Sequence, residues 1–404
     1  MALRETADQI FPELAQNQRN FLLAGAAGAV LSAVGYFTNA EQFFSSYLIA
    51  YMLVLGLTLG ALGLMMVHQL SGGAWGVVSR QSFGAASRVL PYITILFIPV
   101  VIGMPHLYEW THADVVAKDE ILQGKAAYLN TSFFIVRAVI YFAIWNGLAY
   151  FLNAWSKAQD ETGDRALPLR MQRMSAGGLL LYVVTMSFAS FDWVMSRDPH
   201  WFSTIYGALI VIGQGLAAFA FTIVMLTRLA RRKPMSDALT PTYLGDLAGL
   251  MFAGVVLWAY MSFSQYLIIW AGNLPEEIMW YLHRMQHGWT ALAVTLVIFH
   301  FAAPFFLLLM RGIKQKGSLV SKVAMLILFA RLIDMFWLIA PETHHEGLVV
   351  SWMDIVIPVT LFALFVGLYI QQLRQRPLLP VNDPQFEDAL GPALAHGANP
   401  GTAH

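Results

Sequence analysis

Ten apolar runs, each long enough to cross about 30 Å of hydrocarbon at about 1.5 Å per helical residue, constrain this chain more than any other feature. They fall at 20–38, 44–67, 86–106, 131–154, 175–195, 202–227, 246–271, 288–311, 318–340 and 350–372. In lipid every backbone polar group must be satisfied internally, and a helix does this within one segment. With 58% hydrophobic and only 12% charged residues, the chain also has too little polar material to coat a soluble surface. The expectation is an all-α integral membrane protein of about ten transmembrane helices. A ten-helix domain would cover 20–373, between an N-terminal segment 1–19 and a C-terminal tail 374–404.

Lys and Arg crowd into the N-terminus, the connections after the second, fourth, sixth and eighth runs, and the C-terminus. Arg228, Arg231, Arg232 and Lys233 form the densest cluster. The positive-inside rule then puts both termini in the cytoplasm. The first twenty residues have no basic head leading into an apolar run, so they do not read as a cleavable signal. The amphipathic N-terminal segment is expected along the inner membrane surface. The tail, rich in Pro, Gly and Ala, is expected to be disordered or to lie on a partner.

Internal repetition divides the runs. An aspartate inside an apolar helix is followed seven residues later by a proline twice, at Asp192 and Pro199 and at Asp334 and Pro341. Pro105 and Trp110 recur as Pro275 and Trp280, and AIWNGLAYF set against VIFHFAAPF matches Asn146 with His300. Helices 2–5 (about 44–195) and 6–9 (about 202–340) therefore read as two four-helix bundles flanked by helices 1 and 10. A shift of four helices preserves orientation and makes the repeat parallel.

Ionisable groups inside the membrane are costly and mark interior sites. Asp192, Asp334, Arg137 and Arg331 fall in the outer half, and Asp354 near the outer end of helix 10. Together they could form one network that neutralises itself by sharing a proton. Asp334 has Arg331 one turn away, whereas Asp192 must reach Arg137 across the bundle, which makes Asp192 the carboxylate expected to change protonation. His300 sits near mid-membrane. On the cytoplasmic side His68 and Asp246 are the ionisable candidates, with Thr58, Gln214, Thr222 and Tyr260 as stations for a water chain. These residues suggest a proton path opening outward; a static ion network serving packing is the plainer reading.

The outer loops carry His106, Glu109, His112, Asp114, Asp198, His200, Glu276, Glu277, His283, His287, Glu342, His344, His345 and Glu346 among tryptophans. Wet-loop residues or contacts to a partner domain explain most of them. His300 has no intramembrane histidine partner for a bis-histidine haem, and His283 with His287 lacks a third ligand for a metal. Without cysteine the chain carries no disulfide, Cys-ligated cluster or thioether-attached haem.

The ten-helix plan, the absence of cysteine, and the segments SFDWVMSRDPHWFSTIYG and LHRMQHGW resemble the polysulfide-reductase membrane-subunit (NrfD-like) superfamily over about residues 15–375. Within it, the chain is most similar to the second of the two sister membrane-subunit families of bacterial alternative complex III, a quinol to cytochrome c or cytochrome oxidase oxidoreductase. The resemblance implies a multi-pass subunit in the bacterial cytoplasmic membrane that binds no haem or iron-sulfur cluster itself. It implies partners comprising a homologous membrane subunit, periplasmic haem c and iron-sulfur subunits and a terminal oxidase, with no nucleic acid. Lipid, and quinol or quinone, would be its small-molecule contacts. The family's quinol pocket lies at the outer end of the first bundle, which on this sequence presents His106, Tyr108 and Glu109. Quinol oxidation in the sister subunit would drive proton movement past Asp192, Asp334, Arg137, Arg331 and His300. A passive membrane scaffold and a secondary transporter are the competing classes.

Overall fold

A computed structural model describes residues 5–344, 346–388 and 390–391. Among them ten helices are long and apolar enough to span a membrane: α1 Glu13–Thr38, α2 Ala40–Ser71, α3 Ala74–Ile102, α4 Thr131–Thr162, α5 Leu167–Arg197, α6 Tyr206–Leu229, α7 Pro241–Gly272, α8 Trp289–Leu309, α9 Gly317–Glu342 and α10 Met353–Arg374. The described residues contain no strand beyond an isolated bridge between Thr6 and Pro377. The chain is an all-α, multi-pass membrane protein.

Helix boundaries depart from the apolar runs where polar residues are buried. The third helix starts at Ala74 rather than near 86, because Ser79, Arg80, Gln81, Ser82 and Ser87 are all buried in the protein, Ser79 bonded to carbonyls of its own helix and the others to side chains. For the same reason α4 continues through Ser156 and Gln159, both buried.

Two of the ten helices are interrupted. Helix α3 consists of three segments, Ala74–Ser87, Leu90–Ile95 and Ile98–Ile102, and the second and third each carry a proline in the first turn. Proline has no N–H to donate and its ring clashes with the carbonyl four residues back. In α8 the same constraint widens the helix. Residues Val297–Ala302 form a π turn, with the Ala303 N–H bonded to the Ile298 carbonyl five residues back, just ahead of Pro304. The residue four before Pro304 is His300.

Helix α2 is enclosed along its whole hydrophobic window, and α6 is nearly so. They pack against one another at the centre, where a Cβ on Gly60 would run into the Gln214 backbone. Around α2 the helices α3, α4 and α5 close one ring; around α6 the helices α7, α8 and α9 close another. Helix α10 lies on α2 and α3, and α1 lies on α10 with most of its surface outward.

The first and last described segments lie on one face, here the terminal face. Asp8 accepts from Arg374 at 2.6 Å, the Ala7 N–H reaches the Arg376 carbonyl at 3.1 Å, and Arg232 bonds the Ile10 carbonyl and Glu13. Ala7, Phe11 and Leu14 are buried, so the N-terminal segment packs onto the protein. The tail likewise departs from the expectation of disorder. Leu378, Leu379, Phe386 and Leu390 are buried, Asp383 pairs with Arg80, the Gly73 N–H donates to Gln385, and Asn382 donates to the Asp160 carbonyl. The segment closes the terminal end of the first ring; residues 392–404 lie outside the described residues.

Candidate functional site

In the first ring, Arg137 of α4 meets Asp192 of α5. Its Nε donates at 2.8 Å to one carboxylate oxygen and a terminal nitrogen at 3.0 Å to the other. Tyr141, one turn along α4, donates to the same carboxylate at 2.9 Å. The second terminal nitrogen of Arg137 reaches the Tyr128 carbonyl, and the guanidinium lies 3.8 Å from the centre of the Tyr128 ring. Asp192 is fully buried. Two-point pairing of this kind fixes geometry and holds both charges in place.

In the second ring, Arg331 and Asp334 pair along α9 and Trp258 of α7 donates its indole N–H to Asp334 at 3.2 Å. The Arg331 guanidinium lies against Gly213 of α6. His300, fully buried on the π turn, packs its ring 3.9 Å from that of Trp258, and among the described residues neither ring nitrogen has a hydrogen-bond partner.

Asp354 stands apart from both pairs. It accepts from Ser46 at 2.6 Å, Gln42 at 3.0 Å and the Ser351 N–H at 2.8 Å. The five charged groups therefore do not form one self-neutralising network: two pairs each close on themselves, and Asp354 is held by neutral donors. The distinction drawn between the two aspartates narrows too, since both carry an arginine and a second donor.

The expected cytoplasmic stations are dispersed. Thr58 bonds its own helix at Val54, Gln214 accepts from Tyr182 at 2.7 Å, and Tyr260 faces outward, 63% exposed. Asp246 lies exposed in the second turn of α7. His68, at the end of α2, bonds the Gly73 carbonyl at 3.2 Å and borders a cleft of about 310 Å³ that Arg165 and Asp383 also line.

A larger polar system was not anticipated. Arg80 of α3, 2% exposed, pairs with Asp383 and donates to Ser156 at 3.0 Å and Gln159 at 2.6 Å. Arg88 donates to Asn153 at 2.8 Å and to the Gln372 carbonyl at 2.9 Å, and Asn153 donates to Ser87. Gln81 donates to Asp160 at 2.9 Å. On α4 these partners continue the row begun by Arg137, Tyr141 and Trp145, whose indole N–H donates to Thr185 at 2.8 Å. Positions 137, 141, 145, 153, 156 and 160 follow three- and four-residue steps along one row that winds about 160° around α4. That spacing was the available signal; Arg80 was hidden because its serine-rich neighbourhood reads as a loop, and Arg88 lay unremarked at the start of the run 86–106.

At the opposite face a polar cavity of about 430 Å³ opens between the rings. His106, Tyr108 and Glu109 do come together along it, with Arg197, Asp198, His283 and Glu342. His106 stacks on Phe44, and the Tyr108 hydroxyl donates to the Trp193 carbonyl at 2.9 Å. Burial pushes the Tyr108 hydroxyl above its ordinary range, and burial with the nearby Glu342 pushes the Asp198 carboxyl up. On the rim, the Leu122 N–H and His200 hold Asp119 below the usual carboxylate range. Compared with known proteins, the chain matches no protein-family model and no curated protein.

Proposed function

We propose that this chain is a membrane subunit of a quinol-oxidising respiratory complex of the alternative complex III kind, in the bacterial cytoplasmic membrane, and that it conducts protons through its first ring. Its partners would be a homologous membrane subunit and periplasmic haem c and iron-sulfur subunits, with both termini in the cytoplasm. The observation that carries the reading is the polar row of α4. It runs from the terminal mouth at Gln159 and Asp160 to Arg137 and Asp192 near the opposite face. One apolar gap interrupts it, between Trp145 and Asn153, about 12 Å along the helix. Leu148, Ala149 and Leu152 fill the gap, with Leu148 and Met66 against Gly178. A gap of that length separates two half-paths and prevents a leak; rearrangement or wetting there would join them.

Among the described residues, α7 and α9 of the second ring carry no matching polar inner half. Between its Arg331–Asp334 pair and the terminal face, α7 and α9 bury Leu247, Ala248, Met251 and Val255 and Val320, Val323, Ala324 and Ile327. The proton path therefore belongs to the first ring, with Asp192 its outer station. The two rings read as a parallel duplication. In each, the segment before the ring's third helix caps the end of its fourth: Trp110 donates to the Ser196 carbonyl, and Arg284, next to Trp280, donates to the Leu338 carbonyl.

A passive scaffold is favoured instead by the complete pairing of Arg137 and Asp192. The deciding experiment is Asp192→Asn in the intact assembly reconstituted into vesicles. Loss of outward proton release per electron, with assembly preserved, supports conduction; a full proton yield leaves the scaffold.

A further inference from the structure

The terminal end of the second ring carries a site of a different kind. A cleft of about 510 Å³ opens between α6, α7 and α9, and its rim bears Arg228, Arg231 and Lys322. All three are exposed, and none of their side chains takes part in an ion pair or hydrogen bond among the described residues. No carboxylate lines the cleft. The nearest in sequence, Asp237, is paired with Lys233 at 3.2 Å, and Arg232 is paired with Glu13. Three unpaired cations held around one concavity repel one another, an arrangement that an anion relieves.

The walls supply what a phosphate group needs beside charge. Ser318 and Ser321 of α9 and Gln315 offer neutral donors. The start of α9 has no side-chain cap; the Leu319 and Val320 N–H groups bond the Lys316 carbonyl, and those of Gly317 and Ser318, with no acceptor among the described residues, face an acceptor's position. Below the rim the lining turns apolar, with Leu239, Leu244 and the exposed Met325. Lys322 and Met325 are three residues apart on α9, so the polar rim leads down one helix face into the hydrocarbon.

We infer that this cleft binds the headgroup of an anionic phospholipid, the phosphodiester held by Arg228, Arg231 and Lys322 and an acyl chain lying along Leu244 and Met325. A soluble anion would use the rim but not the apolar wall. Basic pockets between transmembrane helices recognise anionic lipid headgroups in this way, each cation near the surface strengthening binding roughly 5-fold.

The test uses the full chain purified in neutral detergent, titrated with cardiolipin, phosphatidylglycerol, phosphatidylcholine and inorganic phosphate, and read by native mass spectrometry and thermal unfolding. Cardiolipin and phosphatidylglycerol are expected to bind and raise the melting temperature, whereas phosphatidylcholine and millimolar inorganic phosphate do neither. The variant R228Q/R231Q/K322Q should lose about 100-fold in cardiolipin affinity. The variant R165Q/R170Q/R173Q, which removes three cations from the same face outside the cleft, should lose less than about 5-fold. If the first variant does not fold, R231Q and K322Q singly should each cost about 5-fold. Equal binding of phosphatidylcholine, equal stabilisation by inorganic phosphate, or equal losses in the two triple variants would overturn the assignment.

Discussion

The guanidinium of Arg331 lies against the bare backbone of Gly213, in space that a Cβ at that position would occupy. This one glycine lets a buried arginine on α9 sit beside α6 while it pairs with Asp334. Gly213→Ala must displace the arginine or the helix, at a cost of about 1–3 kcal/mol typical of overpacking. Gly215 on the same helix has open space, so Gly215→Ala should change stability by less than about 0.5 kcal/mol. Thermal unfolding of the two variants in detergent checks the contrast.

Removing one member of the other pair should be worse than removing both. Arg137→Leu strands the fully buried Asp192 with Tyr141 as its remaining side-chain donor, a change of about 3–5 kcal/mol. Combining it with Asp192→Asn takes away the stranded charge and should recover at least half of that loss. A double-mutant cycle on unfolding free energies measures the coupling, and additive losses would contradict the pairing.

Pro304 explains the π turn at His300, and Pro304→Ala tests the cause. With an N–H restored at position 304, the His300 carbonyl gains its ordinary donor and α8 can close to a regular helix. Amide exchange across 299–305 should slow by at least about tenfold. Unchanged exchange would assign the π turn to packing around Trp258 instead.

The opposite-face cavity should make stability depend on pH through Asp198. Burial first, and Glu342 second, raise its folded-state affinity for a proton above that of the unfolded chain. Its contribution is therefore fully favourable below the ordinary carboxylate range and is lost as pH rises through the raised value. Asp198→Asn should thus raise the melting temperature at pH 7 and leave it unchanged near pH 3. Melting curves across that interval give the sign directly.

Asp383 anchors the tail through Arg80. Asp383→Ala leaves a nearly inaccessible guanidinium with the neutral partners Ser156, Gln159 and the Met171 sulfur, a loss of about 3–5 kcal/mol in that contact. Limited proteolysis within 377–388 should accelerate, while cleavage in the connection after α6 stays at the rate of the unaltered chain.

The transmembrane helices were legible because hydropathy is a local property. Runs such as 44–67 and 350–372 lie within a few residues of α2 and α10. The pairing of Arg331 with Asp334 was legible too, since three residues along a helix share a face. Misreadings came where polar residues were buried: SRQSFGAASR looks like a connection because nothing local shows that Arg80 meets Asp383 about three hundred positions away. His300 was visible as a mid-membrane histidine, but the widened turn that carries it became intelligible only with Pro304 and the Trp258 contact in view.

By itself, the sequence determined that the backbone must be helical and cross the membrane about ten times, because lipid offers its amides no other partner over such lengths. It also determined which residues would be costly in the interior. Which of them meet was decided by tertiary structure alone. Lipid-facing and bundle-facing residues are equally apolar, so the pattern does not reveal which side of a membrane helix turns inward. Only packing α4 against α3 and α5, and folding the tail over their ends, aligned Arg80, Asn153, Tyr141 and Asp192 along one interior.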